Sequence, residues 1–162
     1  QCWRLAMENM DTPTALIFSR QNVNDLPAGP KYSGVEKGAY EVVAEANPDV
    51  VLVASGSEVS TLAEAAALLA VDGIKARVVS CPSEGLFRRQ SKEYQESILP
   101  SGVKTFALTA GLPVIFEGLV GANGRVYGLD SFGFSAPFKV LDEKLGYTAQ
   151  NMYNEIKKFL AE

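Results

Sequence analysis

Residues Pro48 to Gly73, PDVVLVASGSEVSTLAEAAALLAVDG, decide how the chain is read. They open on an unbroken apolar run, Val50-Val51-Leu52-Val53-Ala54. A strand with no polar side needs cover on both faces, which is a property of the centre of a parallel sheet. Ser55-Gly56-Ser57 is a short turn of small residues. Beyond it Val59, Leu62, Ala63, Ala66, Leu69 and Ala70 recur at helical spacing, and Gly73 stands where a helix ends. Strand, tight turn and helix in that order make half of a βαβ unit.

The flanking sequence continues the alternation. Ala39 to Ala44 alternates weakly and reads as an edge strand. Ile74 to Cys81 is a second strand centred on Val78-Val79, stopped at Pro82. Leu86 to Leu99 reads as one or two short polar helices, and Lys104 to Ala110 as a third strand. A loop carrying Gly111, Pro113, Gly118, Gly121 and Gly124 then leads to a fourth strand, Arg125 to Asp130. Ser135 is the expected N-cap of a helix with Pro137 in its first turn and its end at Gly146. Thr148 caps a last helix whose Met152, Ile156, Phe159 and Leu160 share a face. The pattern predicts a mostly parallel, doubly wound α/β domain.

Upstream, residues 1 to 10 read as the end of a helix striped by Trp3, Ala6, Met7 and Met10. Asp11-Thr12-Pro13 breaks it, and Thr14 to Phe18 is expected as a short buried strand. From Val23 to Gly38 the chain is rich in Pro, Gly, Asn and Lys, as inter-domain connections are. The expected division is residues 1–22 as the end of one domain, 23–38 as linker and 39–162 as a second domain. The first residue is Gln1, not Met, which suggests a piece of a longer polypeptide.

Composition removes several function classes. A net charge of -4 gives no basic footprint, so no nucleic-acid partner is expected. No apolar run approaches the roughly 20 residues of a membrane helix, and no signal peptide is laid out at the start. Cys2 and Cys81 lie far apart, without metal-like spacing, and read as reduced cytosolic thiols. The chain holds no histidine. That excludes Ser-His-Asp and Cys-His catalysis, the usual zinc sites and any imidazole proton transfer within these residues.

Two places remain as candidate sites. Ser55, Gly56 and Ser57 lie between a strand and a helix N-terminus, where free N–H groups and the helix dipole can hold an anion. The turn has neither a dinucleotide-binding glycine set nor a P-loop lysine. Glu58 would compete with a bound anion, so a plain cap weighs more heavily. Arg20, in Ser19-Arg20-Gln21, follows an expected strand end, which is where α/β sheets bind ligands. Its planar fork suits a phosphate or carboxylate; a salt bridge anchoring the linker is the equal alternative. For Asp130, at the junction leading to Phe134-Ser135, packing and capping outweigh a functional role. Cys81 reads as a buried small side chain.

Taken together, Pro13 to Asn22 (PTALIFSRQN), Val53 to Val59 (VASGSEV) and Val78 to Ser83 (VVSCPS) resemble transketolases. Gly128 to Pro137 (GLDSFGFSAP) and Leu145-Gly146-Tyr147-Thr148 resemble that family's tail. The resemblance covers essentially the whole chain, and only the C-terminal part of the family's longer polypeptide. It implies a five-stranded, mainly parallel sheet with helices on both faces, preceded by the end of the pyrimidine-binding domain. It also implies a cytoplasmic homodimer that uses thiamine diphosphate and a divalent metal, Mg or Ca. The implied reaction moves a two-carbon ketol unit between sugar phosphates in the pentose phosphate pathway. Arg20 matches the family's Ser-Arg-Gln arginine, which implies contact with the substrate phosphate. The catalytic histidines, the activating glutamate and the metal ligands would lie upstream. Residues 1–162 alone are therefore expected to be inactive, to bind no cofactor and to support the dimer. The rival expectation is a small-anion-binding or regulatory interaction module. Leu108-Thr109-Ala110-Gly111 and Ser131 depart from the family's frequent Val-Glu-Ala-Gly and Asp-Arg-Phe-Gly.

Overall fold

In the computed structural model, which describes residues 1–23, 25–26 and 32–162, the apolar run 50–54 is the central strand of a five-stranded sheet. The strands are β1 (Tyr40–Val43), β2 (Val50–Ala54), β3 (Ala76–Ser80), β4 (Lys104–Leu108) and β5 (Arg125–Tyr127). Their spatial order is β1-β3-β2-β4-β5. β1 pairs antiparallel with β3, and the pairs β3–β2, β2–β4 and β4–β5 are parallel. The helices are α1 (Cys2–Glu8), α2 (Glu58–Val71), α3 (Glu84–Arg88), α4 (Lys92–Ile98), α5 (Val114–Val120), α6 (Phe138–Leu145) and α7 (Ala149–Ala161).

The two faces of β2 account for the layering. Val50, Leu52 and Ala54 point into one core with Leu62, Ala66 and Leu69 of α2 and Met152, Ile156 and Phe159 of α7. Val51 and Val53 point into the other, with Phe87, Ile98 and Phe116 from α3, α4 and α5. Every residue of β2 is fully buried. Chain reversal explains which helix goes where: β2 to β3 steps one way along the sheet, whereas β3 to β4 and β4 to β5 step the other way. Right-handed crossovers then place α2 on one face and α3, α4 and α5 on the opposite one. The expected mostly parallel, five-stranded sheet with helices on both faces is thus the observed one.

Three expectations are corrected. Residues Thr14 to Phe18 form no strand; Ile17 and Phe18 are 94% and 66% exposed. An extended apolar run stays a strand only with ladder partners, and none of the five described strands pairs with it. Within the expected glycine-rich loop 111–124, Val114–Val120 is helix α5, held by burial of Phe116 against the sheet despite Gly118. Ser135 does not cap α6, which starts after Pro137; the Pro137 carbonyl instead accepts from the Val140 and Leu141 N–H groups and sets the first turn. The strands are shorter than expected, β4 stopping at Leu108 and β5 at Tyr127, while two helix boundaries hold. Gly146 closes α6 in the left-handed conformation at φ +79°, and the Thr148 hydroxyl accepts from Asn151 N–H at the start of α7. The linker's residues 24 and 27–31 lie outside the described ones, and residues Tyr32–Lys37 form a 3-10 helix.

One charge is built into this frame. Arg77 sits mid-strand in β3, 6% exposed. Its Nε lies 2.9 Å from Glu41 Oε1 on β1. Its guanidinium donates to the carbonyls of Glu45, Ser97 and Ile98, at 2.8, 2.7 and 3.2 Å. A buried cation satisfied by four acceptors ties the edge strand and the end of α4 to the sheet. Arg77→Leu strands these acceptors and is expected to lower the unfolding free energy by about 3 kcal/mol or more. Urea denaturation would check this; a loss under about 1 kcal/mol would mean that the acceptors rehydrate freely.

Candidate functional site

In an open α/β sheet the crevice for a ligand opens at the carboxyl ends of the strands, where successive crossovers diverge. Here that point lies between β2 and β4. β2 ends in the turn Ser55-Gly56-Ser57, and β4 ends at Leu108 before Thr109. Gly56 takes φ +66°, a left-handed conformation that lets the chain turn from strand into α2 within three residues. A methyl group placed on Gly56 would stand 3.7 Å from Ser19 Oγ and 3.9 Å from Glu58 Oε2. The segment carrying Arg20 is therefore folded over this turn, although it forms no strand of its own. Arg20 itself is exposed, with no ion pair among the described residues. The structure thus brings the two candidate places together.

The electrostatics of the turn are acidic. Ser57 Oγ donates to Glu58 Oε1 at 2.8 Å instead of capping α2. Burial pushes the Glu58 carboxyl above the usual range; the Ser57 hydrogen bond opposes that shift, and the Asp142 carboxylate on α6 adds to it. Asp142 is likewise raised by burial. Tyr147, between α6 and α7, donates its hydroxyl to Thr109 O at 2.7 Å and closes the floor of the crevice. Burial first, then Tyr127, Glu58 and Asp130, push that phenol up to about 12, so it stays a hydrogen-bond donor at neutral pH. Beside these groups runs a groove of about 390 Å³, walled by Gln21 and Asn22, by Ser57 and Thr61 of α2, and by Lys139 and Asp142 of α6.

Sequence reasoning found Arg20 and the 55–57 turn and weighed Glu58 as a competitor. It missed the influence of the Asp142 carboxylate on Glu58 and the anchoring role of Tyr147. The caps flanking Tyr147 fix its backbone, but its hydroxyl's acceptor, the Thr109 carbonyl, is distant in sequence and carries no local signal. No such signal marked Asp142, which lies 84 residues from Glu58 by their numbering (142 − 58). Cys81, at the end of β3, is buried, and that burial pushes its thiol up to about 12, as expected for an inert side chain. Asp130 is exposed.

These donors do not fit thiamine diphosphate. A carboxylate already occupies the first turn of α2, where a diphosphate would need free N–H groups, and the Asp142 carboxylate adds to the negative charge it feels. Among the described residues no group of three or more His, Cys, Asp or Glu could hold a metal ion. Nor is any described helix long and apolar enough to cross a membrane.

Comparison with known proteins places this geometry. The family model for the transketolase-like C-terminal domain matches residues 38–148. Transketolase 2 of Vibrio parahaemolyticus is 42% identical over 162 residues, covering 98% of this chain and 24% of the relative. The solved transketolase of Leishmania mexicana superposes with a TM-score of 0.91 at 34% identity, covering 99% of this chain and 23% of that one. A Pichia stipitis transketolase solved in complex with sedoheptulose-7-phosphate matches with a TM-score of 0.78 at 32% identity, over 88% of this chain and 20% of that one. The chain thus spans about a quarter of the length of the curated relatives it matches.

The carboxyl pair gives a pH-dependent expectation. Both folded values lie above the unfolded ones, so the native state binds extra protons in the window between them. Stability is lost as pH rises through that window. Glu58→Gln is therefore expected to raise the melting temperature at pH 7, with the gain disappearing towards pH 4. Calorimetry at the two pH values reads it. A destabilised variant at pH 7 would mean that the helix dipole and the Ser57 bond outweigh desolvation.

Proposed function

The chain belongs to the transketolase family, and from that membership we infer that it is the C-terminal part of a sugar-phosphate ketol transferase. The intact enzyme transfers a two-carbon ketol unit between sugar phosphates in the pentose phosphate pathway. Thiamine diphosphate with a divalent metal supplies the carbon–carbon chemistry there, on residues outside this chain. The observation that carries the reading is the match of one ordered set of motifs to one fold over nearly the whole chain. Each motif alone is common; their shared order is not.

Within that enzyme residues 39–162 act as a supporting domain, and residues 1–22 belong to the domain before it. Arg20 is the one residue of this chain assigned to substrate. Its position over the crevice, exposed and free of a carboxylate partner among the described residues, suits a guanidinium kept for a phosphate dianion. The 55–57 turn is assigned to positioning: its glycine bends the chain, and the Glu58 carboxylate fills the helix N-terminus. That leaves the anion-binding module as the weaker reading. The enzyme works as a cytoplasmic homodimer.

The test is a ketol-transfer assay with thiamine diphosphate and magnesium. It would be run on this chain alone and on this chain mixed with the missing N-terminal three quarters of a transketolase. Activity is expected only on mixing, and turnover by the chain alone would overturn the supporting role. In the active mixture Arg20→Ala is expected to raise KM for the sugar phosphates about tenfold or more, with a smaller effect on kcat. An unchanged KM would remove Arg20 from the substrate site.

A further inference from the structure

Arg20 is bracketed by two contacts with the sheet and its first long helix. On one side Ser19 lies against the turn from β2 into α2, its Oγ 3.7 Å from a methyl group placed on Gly56. On the other, Leu26 packs against the core shared by β2, α2 and α7. Between these contacts Gln21, Asn22 and Val23 wall the groove of about 390 Å³ along the first turns of α2. Asp25 and Leu26 wall a second groove, of about 1020 Å³, further along the same helix. Ser60 and Glu64 border both grooves, so the described residues of this segment follow one side of α2 from its start towards its end.

That side of α2 has the composition of a seat for another stretch of chain. Ser60, Ala63, Ala67 and Ala70 recur at spacings of three and four residues, which sets them in one row along the helix. Ala67 and Ala70 are exposed. A helix face turned away from the core ordinarily carries charged side chains; three alanines in a row instead leave room for a neighbouring backbone. Leu26 lies six residues beyond Arg20 (26 − 20), a length that spans at most about 20 Å. An anchored Leu26, with Ser19 held at the other side, therefore confines the guanidinium to a small region beside the crevice.

We propose that α2 is the positioning element for Arg20, with the Gly56 turn and the Leu26 contact as its two anchors. The sheet domain then sets the preference for a phosphorylated substrate without touching the phosphate. The proposal rests on the assignment of Arg20 to the substrate phosphate made above. A planar guanidinium fork must be aimed to bind two oxygens of one phosphate. A misplacement on the order of 1 Å at a positioned group costs up to about a hundredfold in rate.

Steady-state kinetics of the full-length enzyme test it, with a ketose phosphate as donor and with the same ketose lacking its phosphate. Leu26→Ala removes one anchor. Ala63→Met, which keeps a strong helix former, fills the row from the other side of the contact. Each variant is expected to lower kcat/KM for the phosphorylated donor about threefold or more, chiefly through KM, and to leave the phosphate-free donor unaffected. Neither is expected to add to the loss caused by Arg20→Ala, because both act through that guanidinium. Equal losses with the two donors, losses that multiply with that of Arg20→Ala, or no loss in either variant would overturn the positioning role. Arg20→Ala alone separates this proposal from the reading beneath it. If it spares the preference for the phosphorylated donor, the assignment of Arg20 falls and the positioning role with it. If it abolishes that preference while Leu26→Ala and Ala63→Met keep it, the positioning role alone falls.

Discussion

Burial of β2 on both faces is the constraint on which the rest of this structure depends. Five consecutive apolar residues cannot face water on either side, so the chain must supply two helical layers. The alternating side chains then divide the interior into two cores. Sheet order follows from the same requirement, because right-handed crossovers that step in opposite directions are what bring helices to both faces. The reversal that completes the layers also opens the crevice between the ends of β2 and β4. The place where a ligand would meet this fold is thus a by-product of covering its central strand.

Around that crevice the chemistry is subdued. A carboxyl raised by burial fills the first turn of α2, another on α6 is raised by burial too, and a phenol is committed to a backbone carbonyl. None of these groups is arranged as a nucleophile with its base. Arg20, an exposed cation beside the crevice, lies on a segment outside the sheet. Its neighbours Ile17 and Phe18 lack the cover that apolar side chains normally find.

The fold was legible because its signals are local and redundant. The run 50–54, the helical stripe after it and the glycine at 73 each point to the same unit, and the structure has it. Gly146 and Thr148 announced their caps for similar reasons: a left-handed turn and an extended N-cap are decisions of single residues. Failures came where tertiary context decides. Thr14 to Phe18 has the composition of a strand but finds no ladder partner here. Val114–Val120 hides a helix among glycines because packing of Phe116 outweighs propensity. At the site, Arg20 and the 55–57 turn were readable from their places in motifs. The effect of Asp142 on Glu58 was not, since no local pattern predicts which distant charges a fold will bring near one another.

The central claim is that this chain is a supporting domain of a transketolase whose cofactor site lies elsewhere in the protein. Calorimetric titration of the 162-residue chain with thiamine diphosphate and magnesium tests it most directly. The expected result is no saturable heat for the chain alone. Stoichiometric binding to the chain alone would contradict the account, because it would place a cofactor site among residues whose donors do not fit one.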